Sequence, residues 1–230
     1  MKLVAVIAAM DERDNVGPLC RRLLATLRAL PGLDFEVIFV VEGEDGTEAA
    51  LAGLAASEIR VLRPDRARGL GAAFRLGFAA VPADADLVVT LDADLNHAPE
   101  DIPRLIGALD AARADIVIGS RHLPGARVLG QPMWKRLLSR AGNALVRRRL
   151  ATRVGDLTSG FRLYRAAALR RLTFRSDGFA FLPELLLAAS ALDLRIVEEP
   201  IDFVHRVYGR SKLRLGPAAR DYLRLLACRS

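Results

Sequence analysis

Leu87-Val-Val-Thr-Leu-Asp-Ala-Asp-Leu-Asn-His-Ala-Pro-Glu-Asp-Ile102 is the stretch on which the reading of this chain turns. An apolar run ends in two carboxylates, Asp92 and Asp94, two residues apart. Side chains alternate faces along a strand, so both acids are expected to project together from a strand's carboxyl end. In open α/β sheets that end is where ligands bind. Like charges so close repel unless one takes a proton or a cation lies between them. A hard divalent ion that keeps several waters and takes substrate phosphates as its other ligands suits the pair best. The competing reading is a helix N-cap ahead of Pro99-Glu100-Asp101. That reading suits Asn96 or His97 and leaves the two aspartates without a role.

Working outward, strands and helices alternate. Leu3–Ala9, Phe35–Val41, Ile59–Leu62, Leu87–Leu91 and Ile116–Ile118 are short apolar runs rich in Val and Ile, the pattern of strands buried on both faces. Between them, 15–30 carries Leu19, Leu23, Leu24, Leu27 and Leu30 at helical spacing. A short Ala/Leu helix follows Thr47, and another spans about 72–81. Ile102, Leu105, Ile106 and Leu109 form an i, i+3, i+4, i+7 set. The β-α-β-α rhythm predicts a largely parallel sheet covered on both sides.

The 230 residues make one large α/β domain, 1–230, with no internal repeat or long linker. Its composition shifts near residue 120, from acidic loop tips to arginine-rich segments, and we take this as two halves of one domain, expected to bind a nucleotide (about 1–120) and an acceptor (about 121–230). Hydrophobic residues make up 52%, enough for a substantial core, yet no run reaches the roughly 18 apolar residues of a bilayer-crossing helix. The apolar N-terminus is short and runs straight into Asp11-Glu12-Arg13-Asp14, so it reads as a first strand rather than a leader. Cys20 and Cys228 make neither a metal spacing nor a disulfide framework, which suits a reducing cytosol. A net charge of +7 allows nucleic acid, anionic lipid or a polyphosphate as partner. No helix-turn-helix, zinc or aromatic RNA-binding signature accompanies it, which argues against nucleic acid.

Further motifs fall at strand ends. Ala8-Ala9-Met10-Asp11-Glu12 places a carboxylate where a base or ribose would be met, or merely builds a turn. Glu42, Glu44 and Asp45 raise the same pair of readings, with Gly43 and Gly46 serving the turn. Arg66-Ala-Arg-Gly-Leu-Gly71 is a basic, glycine-containing loop before a helix, a place for phosphate. Gly119-Ser-Arg121 follows a strand end, and Arg121 offers a bidentate phosphate contact or is a surface arginine. Met133–Leu150 sets Trp134 and leucines beside Lys135, Arg136, Arg140 and Arg147 to Arg149. It reads either as a membrane-surface helix or as a core helix with a solvated basic face. Asp156 either fixes a sugar hydroxyl or caps a turn, and Glu184 lies off the apolar face of its helix. Arg206 and Lys212 are a candidate diphosphate clamp, and His205 reads as structural.

Together these residues resemble the inverting family-two glycosyltransferases, and among them the dolichol-phosphate (polyprenyl-phosphate) mannosyltransferases. The likeness runs nearly the whole chain. It is carried by Leu91-Asp-Ala-Asp-Leu-Asn-His97, Gly119-Ser-Arg121, Asp156-Leu-Thr-Ser-Gly-Phe-Arg-Leu-Tyr-Arg165, Glu199-Pro-Ile-Asp-Phe-Val-His-Arg206 and Gly209-Arg-Ser-Lys212, with Arg68-Gly-Leu-Gly71 in support. The resemblance implies a GT-A fold, a Rossmann-like, mostly parallel central sheet flanked by helices. It implies Mg²⁺ or Mn²⁺ held by Asp92, Asp94 and Asn96. The nucleotide-sugar donor, GDP-mannose by the likeness, would lie against Ala8, Met10, Glu12, Glu42, Arg68 and the Asp92-Ala93-Asp94 segment, with Arg206 and Lys212 on its phosphates. The polyprenyl phosphate acceptor would meet Arg121, Lys135, Arg136 and Ser159. Asp92, Asp94, Arg121 and Arg206 would be the catalytic set. The enzyme would be cytoplasmic and peripheral on the cytosolic face of the membrane, alone or with a separate membrane-anchoring protein. The likeness departs at Ala8 and Met10, and at the shortened Val41-Glu-Gly-Glu-Asp-Gly-Thr47.

A phosphate monoester loses its second proton near pH about 6, so at neutral pH it is already nucleophilic, whereas an alcohol needs a general base. No paired acid that would supply one is evident around Glu184. That favours a phosphate acceptor over a hydroxyl acceptor. A sugar-nucleotide-forming nucleotidyltransferase would show a Gly-rich basic loop after the first strand, unlike Ala8–Glu12. A non-enzymatic module binding anionic lipid or nucleic acid would be indifferent to Asp94.

Overall fold

The structure is a computed structural model that describes residues 1–130, 143, 147 and 154–204. Strand β1 (Lys2–Met10) is an interior strand that pairs in parallel with β2 (Asp34–Glu42) on one side and β4 (Leu87–Thr90) on the other. β3 (Ile59–Leu62) extends the sheet beyond β2, also in parallel. The connections are α1 (Arg13–Arg28), α2 (Thr47–Ala52) and α3 (Leu70–Ala79). After β4 come a single 3₁₀ turn at Pro99–Asp101, then α4 (Ile102–Ala111) and β5 (Ile116–Ser120). β6 (Arg127–Leu129) leaves the main sheet. β7 (Arg162–Arg165), a helical turn α5 (Ala166–Leu169), α6 (Phe181–Ala191), β8 (Ile196–Pro200) and β9 (Asp202–Val204) complete the described chain.

The main sheet has seven strands in the order β3-β2-β1-β4-β7-β5-β8, and β6 pairs with β9 in a separate parallel ribbon. The expectation of a largely parallel sheet holds with one exception. β7 inserts antiparallel between β4 and β5, with Thr90 and Ile118 both opposite Arg162. Its start therefore lies at the same edge as the ends of β1, β2, β4, β5 and β8.

The continuous apolar runs are explained by two cores. Leu3, Ala5, Ile7 and Ala9 of β1 face Leu19, Leu23 and Leu27 of α1 and Leu105 and Leu109 of α4. Val4 and Val6 face the other way, toward Phe74 of α3 and Phe181, Leu185 and Ala189 of α6. A strand with helices on both faces has no solvent side to mark with polar residues. The described residues hold no helix long and apolar enough to cross a membrane.

Cys20 sits in the first of these cores, 1% exposed, and burial pushes its thiol up to about 12. Thiolate is the reactive form. In a Cys228→Ser background, a thiol reagent at pH 8 is therefore expected to leave Cys20 unmodified until denaturant unfolds the chain. Labelling before the circular dichroism transition would contradict this.

Candidate active site

β4 ends at Thr90, and Asp92 and Asp94 lie in the turn that follows. The two acids therefore do not alternate along a strand as expected: they lie beyond its end, in a tight turn with Leu95 at φ 63°. Asp94 is 6% exposed. Its Oδ1 accepts the Asn96 backbone N–H at 3.1 Å and its Oδ2 accepts the Asn96 side-chain Nδ2 at 2.8 Å. That second bond fixes the amide's orientation and leaves Asn96 Oδ1 as a buried acceptor with no hydrogen-bond partner. Such an orphan costs about 1–3 kcal/mol unless something binds it. No group of three His, Cys, Asp or Glu converges anywhere among the described residues, so any ion here would rest on two carboxylates and an amide rather than on a full protein cage. The turn thus offers two carboxylates and one amide oxygen, a donor set suited to a hard divalent cation that draws further oxygens from water and substrate.

Behind the turn, His97 is 2% exposed, tilted against Phe161 and edge-on to Phe203 with ring centroids at 5.3 and 5.6 Å. The Asp92 backbone N–H points to its Nδ1 at 3.5 Å, so the ring proton belongs on Nε2. Burial pushes His97 down to about 4, against the pull of Asp94. The 3.6 Å approach of Nδ1 to the Asp92 carboxylate is therefore not an ion pair at neutral pH. The folded value lies below the free value of 6.5, so the unfolded chain takes up the proton first as pH falls. Metal-free protein is expected to keep this contribution above pH 6.5 and to lose up to about 3 kcal/mol of stability as pH drops toward 4. Melting temperatures across that range check it, and His97→Gln should show a flatter acid limb.

The loop Asp156–Phe161 closes the other side. Asp156 is fully buried and grips Arg121 in a two-pronged pair, Nε to Oδ2 and Nη2 to Oδ1, each 2.7 Å. The Arg121 backbone N–H adds a third bond at 3.1 Å, and Thr158 Oγ1 accepts from Nη2 at 2.8 Å. Burial alone would raise the Asp156 pKa, but the Arg121 guanidinium outweighs it and holds the carboxyl well below the usual range. Arg121 also lies over the Phe203 ring at 5.3 Å. It is therefore no bland surface arginine. Its Nε–Nη2 edge, the fork that sequence reading offered to a phosphate, is held by Asp156. Asp156 also accepts from Thr158 Oγ1 at 3.3 Å, so both of its oxygens are engaged by protein groups. At the loop's far end Gly160 meets the acid turn, where a Cβ would sit 2.8 Å from Asp92 Oδ1. Thr90 Oγ1 donates to the Gly160 carbonyl at 2.7 Å.

The ends of β1 and β2 bring together two buried carboxylates, Glu12 at 8% and Glu42 at 6% exposure, with Ala8 and Met10 half-buried on the same strand end. Glu12 accepts from Asn15 Nδ2 at 2.5 Å, and Glu42 accepts the Arg68 backbone N–H at 3.1 Å. Asp45 is spent on the turn: it accepts from Thr47 N, Thr47 Oγ1 and Arg13 N. Gly43 and Gly46 both sit at φ 92°, where only glycine is unstrained. The start of α3 is also engaged, because the N–H groups of Gly71 and Ala72 donate to the Asp177 carbonyl at 2.7 and 3.2 Å. A phosphate at Arg66–Gly71 would have to displace that carbonyl. The Arg68 side chain pairs loosely with Asp177. Glu184 accepts the Arg175 and Ser176 backbone N–H groups, one on each oxygen, at 2.7 and 2.9 Å.

The structure thus gathers Asp92, Ala93, Asp94, Asn96, Arg121 and Ser159 around one loop, and Ala8, Met10, Glu12, Glu42 and Arg68 at the neighbouring strand ends. Lys135, Arg136, His205, Arg206 and Lys212 lie outside the described residues. Sequence reading missed the partnership of Asp156 with Arg121, the neutral His97 and the closeness of Gly160 to Asp92. A polar Asp-Leu-Thr-Ser-Gly segment between apolar strands was the available signal.

Residues 5–173 match the family described as Glycosyl transferase family 2. The chain is 35% identical to an undecaprenyl-phosphate mannosyltransferase of Micrococcus luteus, over 94% of its own length and 89% of the relative's. It is 34% identical to a polyprenol monophosphomannose synthase of Mycolicibacterium smegmatis, over 92% and 81%. A dolichol-phosphate mannosyltransferase of Pyrococcus furiosus is 33% identical over 97% of this chain, which spans only 62% of that longer protein. Among solved structures, glucosyl-3-phosphoglycerate synthase of Mycobacterium tuberculosis, crystallised with Mn²⁺, UDP and glucosyl-3-phosphoglycerate, superposes with a TM-score of 0.71 at 22% identity, covering 98% of this chain and 77% of that one. At that identity the likeness concerns the fold, which is GT-A.

Proposed function

The chain belongs to glycosyl transferase family 2, and from that premise we propose that it moves a hexosyl group, mannose from GDP-mannose, onto a polyprenyl phosphate at the cytosolic membrane surface. The observation that carries this reading is the shared loop: Asp156–Phe161 touches the acid turn at one end and holds Arg121 at the other. On this reading the diphosphate donor would lie on the acid-turn side of that loop and the anionic acceptor on the Arg121 side. The names of the relatives, all acting on polyprenyl-type phosphates, support the acceptor.

Asp92, Asp94 and Asn96 would hold Mg²⁺ or Mn²⁺, whose charge would neutralise the departing nucleoside diphosphate. Glu12 and Glu42 present buried acceptors to the hydroxyls or N–H groups of the nucleoside. Arg121 sets a positive charge beside the acceptor phosphate and lessens its repulsion from the donor. A phosphate oxygen then attacks the anomeric carbon, a new C–O bond forms with inversion, and the old bond breaks with its electron pair leaving on the diphosphate. No general base is needed, because the acceptor is mostly a dianion at neutral pH. The commitment of both Glu184 oxygens to backbone amides favours this route over transfer to a hydroxyl.

The test is a panel of labelled GDP- and UDP-sugars with Mg²⁺ or Mn²⁺, offered polyprenyl phosphate, free polyprenol or 3-phosphoglycerate. Label entering the organic phase only with polyprenyl phosphate is the expected result. Transfer to polyprenol or phosphoglycerate instead would move the chain to the hydroxyl-acceptor class.

A further inference from the structure

We infer that Arg162 is a positioning residue that keeps the two halves of the site in register. The inference rests on the transferase reading above and adds to it a residue with no part in binding substrate. Arg162 opens β7 and is 0% exposed, among the largest fully buried side chains of the protein. No carboxylate pairs with it among the described residues. Its guanidinium instead donates to three backbone carbonyls: Nε to Ser159 at 2.8 Å, Nη2 to Leu157 at 2.9 Å and Nη1 to Leu182 at 2.9 Å.

Burying a cation without an anion is costly, and an apolar side chain of similar volume would fill the same space at less cost. The face it occupies is otherwise lined by the apolar Leu157, Phe181 and Leu182, with the buried Tyr164 hydroxyl in hydrogen-bonding contact with the guanidinium. What no apolar side chain supplies is a planar fork that binds several carbonyls at fixed angles. Two of those carbonyls belong to the loop Asp156–Phe161, and the third belongs to the first turn of α6. The fork therefore ties the loop to a helix that is itself packed on the sheet. The loop's ends are Asp156, which orients Arg121, and Gly160, which abuts Asp92. A shift of the loop displaces both at once, and an ångström of misplacement is enough to cost about 100-fold in rate.

The test uses Arg162→Lys and Arg162→Met in the full chain, with Leu105→Ala of the opposite core as a destabilised control. Mn²⁺ affinity by calorimetry, kcat, acceptor KM and melting temperature are read for each. Outer partners of a metal site typically contribute about 10–100-fold in affinity or activity. Arg162→Lys is expected to lose that much in both kcat and Mn²⁺ affinity and to raise acceptor KM, beyond anything Leu105→Ala shows at an equal melting temperature. Losses no greater than the control's would make Arg162 merely structural and overturn the inference. Should both Arg162 variants fail to fold, Gly160→Ala disturbs the same loop from its other end. Joint damage to Mn²⁺ affinity and acceptor KM would uphold the coupling, and damage to Mn²⁺ affinity alone would overturn it. If the wild type binds Mn²⁺ and a nucleotide sugar but glycosylates no lipid phosphate, the acceptor assignment falls, while the Mn²⁺ measurements still decide the role of Arg162.

Discussion

Asp94→Asn is expected to lower transfer on the order of 1000-fold at saturating Mn²⁺, because several kcal/mol of charge stabilisation at the departing diphosphate is lost with the carboxylate. The substitution keeps the shape of the side chain and removes its charge. It also turns an acceptor into a donor opposite Asn96 Nδ2, so the hydrogen-bonded turn that sets Asn96 has to rearrange. Asp92→Asn is expected to be as damaging to turnover but gentler on the fold, since the Asp92 side chain is 34% exposed. Both should weaken Mn²⁺ binding by calorimetry, and a melting curve near that of the wild type would show that the loss is chemical. Undiminished turnover in either variant would remove the acid turn from the mechanism.

Asp156→Asn acts through a different term. The amide preserves one acceptor and leaves the Arg121 guanidinium without its counter-charge in a site where Asp156 is 0% and the Arg121 side chain 15% exposed. Breaking such a pair from one side costs about 3–5 kcal/mol. At about 2–4 °C per kcal/mol for a chain of this size, the melting temperature should fall by roughly 6 to 20 °C. Arg121 should also lose its fixed direction, so acceptor KM is expected to rise while donor binding changes little. Removing both partners, Arg121→Met with Asp156→Leu, should recover much of the stability and none of the activity. A fully stable Asp156→Asn would show that the pair is weaker than its geometry implies.

How far the sequence alone leads differs from one part of the molecule to the next. The parallel strands were plain, because short Val- and Ile-rich runs such as Leu3–Ala9 and Phe35–Val41, bounded by turn residues, favour a buried strand over a helix. The acid turn was plain as chemistry, since two aspartates after an apolar run have few uses. Its geometry was not, because nothing local announces that β4 ends at Thr90 or that Leu95 adopts a left-handed conformation. The antiparallel β7 was hidden. Arg162-Leu-Tyr-Arg165 carries two arginines, and nothing local says that the first of them is buried against carbonyls from residues both near and distant in sequence. Glu184 was left open between solvent and function for the same reason, because its partners, the amides of Arg175 and Ser176, carry no side-chain signature. In each case the sequence shows which groups are available, and tertiary contact decides which of them meet.

The placement of β7 also bears on how the chain is made. β4 and β5 are neighbours in sequence but not in the sheet, where β7 lies between them. While the polypeptide leaves the ribosome, β3, β2, β1 and β4 can assemble early, yet the free edge of β4 stays open until β7 emerges. At translation rates of about 5–20 residues per second that is an interval of several seconds. During it the nascent sheet presents Leu87-Val-Val-Thr90, a bare apolar edge of the kind that recruits other strands. Chaperone dependence and losses to aggregation during synthesis should therefore respond to changes in 91–161 that alter how soon β7 arrives, even where they leave the finished protein untouched.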